Sequence, residues 1–170
     1  MNILRCLSLT TLSLIATASI LSPAMADVHQ QDTTAITAAI AAADTATEKE
    51  DAQAANAALA EDYVSYDAKG KQTVKSKADA IAQATKMFTI ATGFTSKSVP
   101  TKIVYDKTGA AVYETENGTF TMSAHDQQHV MSVHGTYRNY WIKSKGIWLE
   151  KQSRALTEVY AIDGKPVPAE

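Results

Sequence analysis

The chain has 170 residues, 16 Lys+Arg against 18 Asp+Glu, one cysteine and 45% hydrophobic residues. That length suits one domain with its own core. A formal charge of -2 offers no basic surface to a nucleic-acid backbone, and 20% charged residues exclude a highly charged disordered tail.

The N-terminus reads as a targeting segment. Arg5 supplies a positive start, and Leu7 to Leu21 is apolar or small throughout. That run falls short of the about 20 residues a spanning helix needs. Pro23 interrupts it, Ala24-Met25-Ala26 fits a small-x-small cleavage site, and Asp27 opens the polar chain. The pattern predicts a signal peptide over 1–26 and a periplasmic or secreted protein, with no stable membrane insertion after cleavage. Cleavage removes Cys6, the only cysteine, so no disulfide or thiol chemistry is expected.

Residues 27–32 are polar and expected to be flexible. Half of residues 35–60 are alanine, a strong helix former. Ile36 and Ile40 begin a stripe that Ala43 and Thr47 continue, and Asp32 or Thr33 is a candidate cap. Thr47 with Glu50 reads as a capping box for a second helix over about 50–60, so a bent pair is expected. Tyr63 to Tyr66 reads as a short strand ending in an Asp67-Ala68-Lys69-Gly70 turn. Ser76 with Asp79 caps a helix over about 77–89, whose apolar face is Ala80, Ile81, Ala84, Met87 and Phe88. Beyond Pro100 the period changes to two. Strands are expected around Ile103–Tyr105, Ala111–Thr115, Phe120–Met122, Val130–Lys143 and Ile147–Val159. Glu116-Asn117-Gly118-Thr119 is either a tight hairpin or a bulge within a longer strand. A single domain over 33–159 and an irregular tail over 160–170 are expected. This order of elements is α+β: three N-terminal helices packed on a curved, mainly antiparallel sheet.

Three segments resemble the nuclear transport factor 2-like superfamily, in its SnoaL-like and ketosteroid-isomerase-like branch. They are Leu59 to Gly70, with its acidic pair, short strand and Asp-x-x-Gly turn; Lys75 to Ile81; and the Trp-containing hairpin Tyr140 to Trp148. The resemblance spans about 35–157. It implies a conical cavity between helices and sheet, and a homodimer through the sheet. It does not choose a function, because members include isomerases, cyclases, dehydratases and non-catalytic association domains. In the isomerase branch the Asp of the Asp-x-x-Gly segment is the proton-abstracting base. Here that position is Asp67, flanked by Tyr63 and Tyr66. The branch's oxyanion-donating tyrosine on the first helix falls on Ala43, which has no hydrogen to donate. Asp67 therefore has two readings, a base or a carboxylate that closes its own turn.

The residues of the later strands give further candidates. His134, Thr136, Arg138, Tyr140 and Ile142 share one strand face, and Val133, Gly135, Tyr137, Asn139 and Trp141 share the other. The first set joins imidazole, hydroxyl, guanidinium and phenol in a row, apt for a small oxygenated or hydrophobic ligand. Arg138 is either a ligand contact or an ion-pair partner of Glu150 or Glu114. Simple alternation puts Trp148, Glu150, Gln152 and Arg154 on one face of the last strand. Trp141 and Trp148 read as packing or dimer residues. His125 and His129 stand four apart, but an extended strand separates such positions by more than about 10 Å, and Asp126 replaces a zincin's glutamate. No metal and no cofactor are expected, and the Lys69–Lys77 cluster is bracketed by Asp67 and Asp79. The reading is an exported small-molecule-binding or association domain without catalysis. The alternative is proton abstraction from a small hydrophobic carbonyl compound, with Asp67 as base and His134 or Tyr140 as polariser.

Overall fold

A computed structural model describes residues 23–124 and 126–167. The apolar run Leu7–Leu21, Cys6, His125 and Pro168 lie outside the described residues. The elements in chain order are α1 (Pro23–Glu48), α2 (Ala52–Ala55), β1 (Leu59–Tyr66), β2 (Gln72–Val74), α3 (Lys77–Ile90), β3 (Ala91–Tyr105), β4 (Ala110–Ala124), β5 (Gln127–Ser144), β6 (Ile147–Ile162) and β7 (Lys165–Pro166). The strands form one sheet in the order β2-β1-β6-β5-β4-β3, with β7 paired to β6. β3 to β6 is an antiparallel meander, and β1 joins β6 in parallel. The fold is the expected α+β cone, with helices on the concave side of a curved, mixed sheet.

α1 lies along β3, with Ile36 and Ile40 buried one turn apart. They meet Ala110, Val112, Trp141 and Trp148 in the main core, flanked by Ile103 and Tyr105. Both tryptophans therefore pack inside. Asp32 does not cap a helix. It lies within α1, where its Oδ1 accepts from Trp148 Nε1 at 2.8 Å and from Lys143 Nζ at 2.6 Å. Thr33 is also inside the helix and bonds the Tyr105 hydroxyl at 2.8 Å. The Ala24-Met25-Ala26 segment falls in the first turns of α1, so a chain starting at Asp27 keeps all of these contacts.

The second helix is much shorter than the alanine content implies. Glu50 takes a left-handed φ of 57°, which stops α1. Thr47 remains helical and donates to Ala43 O at 3.0 Å, so it caps nothing. Asp51 is the N-cap instead, accepting from Gln53 N and Ala54 N. After α2, tertiary pairing overrides helix propensity: Glu150 N donates to Ala58 O, and Leu59 begins β1 opposite Glu150. α3 matches its capping signal, since Ser76 accepts from Asp79 N. Glu116 to Thr119 is neither hairpin nor bulge against β5. β4 runs straight through it with unbroken register. The tail is more regular than expected, because β6 continues to Ile162 and turns back through Asp163-Gly164 into β7.

Replacing Asp32 with Ala leaves the buried Trp148 indole N–H without its acceptor. A loss of about 1–3 kcal/mol is expected for such a group, a fall in Tm on the order of 5 °C. The Lys143 and Trp148 hydrogen bonds hold the Asp32 carboxyl below the usual range. Its contribution is therefore complete above the ordinary carboxylate pKa of about 3.9 and fades at lower pH. Thermal unfolding by circular dichroism at neutral pH checks this, and an unchanged Tm contradicts it.

Candidate functional site

Strand alternation decides which side chains face α1. On β4, Ala110 and Val112 are fully buried in the core, and Glu114 and Glu116 follow in the same phase. Their β5 partners are Trp141, Asn139, Tyr137 and Gly135. Gly135 is required here, because an added Cβ would lie 2.7 Å from the Tyr137 ring. On β6 two irregularities each skip one residue, Lys151 and Leu156. Asn139 thus pairs with Ser153 while Trp141 pairs with Glu150, and both β6 side chains turn inward. Simple alternation had grouped Glu150 with Gln152 and Arg154; the bulge at Lys151 separates them.

These residues surround a cavity of about 280 Å³ between α1 and the sheet. Ala39, Ala43 and Asp44 form its helical wall. Asp44 is fixed to β3, accepting from Ser96 Oγ at 2.6 Å, Ser98 N at 2.7 Å and Ser98 Oγ at 3.0 Å. Tyr63 enters from β1, and Glu114, Glu116 and Glu150 from the sheet. No described residue lining the cavity is Lys, Arg or His.

Glu114 is a buried carboxyl of this cavity, 8% exposed. Its Oε1 accepts from Asn139 Nδ2. Its Oε2 has no partner among the described residues, nor do Asn139 Oδ1 and Trp141 Nε1. Burial, then the Glu116 and Asp44 charges, push the Glu114 carboxyl up to about 7, against the pull of Asn139. Burial raises Glu116 too, with Asp44 and Glu158 adding repulsion. Glu150 keeps part of its surface open to the cavity but is surrounded by protein, which raises its pKa well above the ordinary value; Glu114 and Glu116 reinforce this. The phenols of Tyr63 and Tyr137 are raised by burial and stay protonated at neutral pH. Chemically, the cavity holds the Glu114 carboxyl, pushed up to about 7, and the Glu116 and Glu150 carboxyls, both raised, beside neutral phenol and amide donors.

Of the residues expected to form the site, only Tyr63 lines this cavity. Asp67 closes its own turn: its Oδ1 accepts from Lys71 N at 2.8 Å, and its carbonyl accepts from Gly70 N. Tyr66 pairs with Arg154 on the outward face. His134, Arg138 and Tyr140 are on the outward face of β5, opposite to Asn139 and Trp141. His134 bonds Asn117 Oδ1 at 2.6 Å through Nδ1. Arg138 is exposed, between Tyr113 and Arg154 in register, and the sheet separates it from Glu114 and Glu150. Tyr140 bonds Thr108 Oγ1 at 2.6 Å and packs over Gly109 in the β3–β4 turn. His129 bonds Asp163 Oδ2 at 2.8 Å. Among the described residues no three His, Cys, Asp or Glu are grouped to hold a metal ion.

The fold is shared with solved structures of low sequence identity, in the layout that the nuclear transport factor 2-like resemblance implies. A candidate scytalone dehydratase from Novosphingobium aromaticivorans superposes with a TM-score of 0.67 at 14% identity, covering 79% of this chain and 90% of that one. LinA superposes with a TM-score of 0.66 at 11% identity, covering 86% and 97%. A ketosteroid isomerase-like protein from Erwinia carotovora atroseptica gives 0.57 at 21% identity, covering 73% and 95%. No protein-family model and no curated protein matches the sequence.

Glu114→Gln keeps the shape and the acceptor for Asn139 but removes the titration. The wild-type carboxyl has a folded pKa of about 7 against an ordinary 4.5. Its ionisation therefore destabilises the fold as pH rises from about 4.5 through 7. The variant is expected to match wild type in Tm at pH 4.5 and to exceed it at pH 8, by up to about 3 kcal/mol in stability. Equal Tm values at pH 8, from parallel thermal melts, contradict the assignment.

Proposed function

We propose that this chain is an exported protein that binds a small molecule in the cavity between α1 and the inner face of the sheet, without turning it over. The observation that carries this reading is the set of buried polar atoms, Glu114 Oε2, Asn139 Oδ1 and Trp141 Nε1, without partners among the described residues around an open volume. Buried polar groups are normally satisfied, and a bound molecule satisfies these. Export is supported by Arg5, the apolar run to Leu21 and the Ala24-Met25-Ala26 site.

A second reading has one specific observation in its favour. A carboxyl tuned to about 7 suits a general base at neutral pH. In that reading Glu114 takes a proton from carbon next to a carbonyl, the electron pair moves to the carbonyl oxygen, and the neutral Tyr63 phenol donates to that oxygen. Asp67 has no part in it, because its carboxylate is held in the turn. Against turnover, the helical position of the isomerase branch's donor is the methyl group of Ala43, which lines the cavity.

Ala43→Phe places a ring in the cavity. Native mass spectrometry of protein recovered from its producing cells is expected to show a small molecule on wild type and on Asp67→Asn, but not on Ala43→Phe. A ligand retained by a folded Ala43→Phe variant overturns the assignment to this cavity. Proton exchange into carbonyl compounds that is catalysed by wild type and lost in Glu114→Gln decides for the second reading.

A further inference from the structure

Within this proposed binding cavity, we infer that the ligand is a small organic cation, an amine carrying N–H donors on a short apolar body. The inference rests on the binding reading above and adds the chemical class of what is bound.

The lining is unbalanced. Asp44 from α1, Glu114 and Glu116 from β4, and Glu150 from β6 face one small volume, and no described lining residue carries a positive charge. Buried carboxylates are ordinarily paired. Asp44 has three hydrogen bonds from β3, so its charge is met by fixed dipoles. Glu114 is not so served: Asn139 reaches one oxygen only.

A second observation, independent of the acidic cluster, points the same way. Asn139 is 3% exposed, lines the cavity, and has an acceptor oxygen with no donor among the described residues. The two unpartnered acceptors, Glu114 Oε2 and Asn139 Oδ1, belong to side chains already bonded to each other. Neighbouring acceptors of this kind suit one donor group with several hydrogens, which an ammonium supplies. A carboxylate or phosphate ligand would meet repulsion from the acidic groups. Beside Thr47, Asn56 and Ser153, the wall also carries the Trp141 indole, Ile40, Leu59 and the methyl groups of Ala39 and Ala43, a limited surface for a short apolar body. Trp141 Nε1 remains available to donate to an oxygen or π-system on that body.

The groups facing Glu114 are Asp44, Glu116 and Glu150, together with the neutral Tyr63 from β1 and the Ser96 and Ser98 hydroxyls from β3. A cation favours the ionised carboxylates, so its binding releases protons and strengthens as pH rises. This is opposite to the trend for a neutral acceptor ligand, which needs the protonated acids as donors.

Butylamine, 1-butanol and butyrate have similar bodies and differ in charge. Titrated into full-length or signal-cleaved protein and followed by nitrogen-15 NMR, butylamine is expected to shift the Trp141 indole N–H signal. Trp148, whose indole N–H is bonded to Asp32, serves as an internal reference. Affinity for butylamine is expected to rise at least tenfold from pH 5 to pH 8 and to fall at least tenfold in Glu114→Gln. Arg138→Ala, on the outward face, is expected to bind as wild type does. If butanol or butyrate shifts Trp141 as strongly as butylamine, the cationic assignment is overturned while the binding cavity stands. If none of the three shifts Trp141 and a folded Ala43→Phe variant gives the same spectra with each, both the cation and the cavity reading fall.

Discussion

Two aspartates tie α1 to the sheet, and the space between helix and sheet follows from where they grip. Asp32 accepts from Trp148 and Lys143, residues flanking the β5–β6 turn. Asp44 accepts from Ser96 and Ser98 on β3. Between the grips, Ile36 and Ile40 fill the core, but Ala39 and Ala43 present only methyl groups. The helix is held at the distance the sheet curvature sets, and short side chains leave a hollow there. A bulkier residue at either alanine would fill it, as interiors ordinarily are filled. The cavity is thus a property of the alanine pattern as much as of the fold.

The hollow acquires its chemistry from the sheet. Val112 and Glu114 are consecutive inward positions on one strand, so the same alternation that closes the core exposes a carboxyl to the cavity. Bulges on β6 bring Glu150 and Ser153 to that side. The result is a group of like charges in a poorly solvated place, which raises pKa values and costs stability unless something positive or protonated is present. Such an arrangement is expensive for structure alone, and that cost is the physical reason for assigning it a binding role.

Much of the fold was legible in the chain. The Ser76 cap, the Asp67–Gly70 turn and the β5–β6 hairpin all appear in the structure, whereas strand structure begins at Ala91, ahead of the change expected beyond Pro100. The short α2 was not legible, because the alanine run prefers helix and only pairing of Leu59 with Glu150 draws it into β1. Most of the candidate residues lie on the sheet face away from the cavity. A row of His134, Arg138 and Tyr140 looks chemically rich, yet its phase is set by Trp141 and Asn139, which are buried 2% and 3% exposed on the other side. Extending the apolar phase of Ala110 and Val112 would have carried Glu114 and Glu116 inward. The inward turn of Glu150 with Ser153 had no such signal, since a bulge breaks the period without marking the sequence.

The account depends on Glu114 being a buried, half-partnered carboxyl among like charges. Carbon-13 NMR of its side-chain carboxyl carbon across a pH titration measures this directly. A midpoint near 7, moving toward the ordinary carboxylate value when Glu116 and Glu150 are both replaced by glutamine, is the result predicted. A midpoint near 4.5 in the wild-type protein would contradict it.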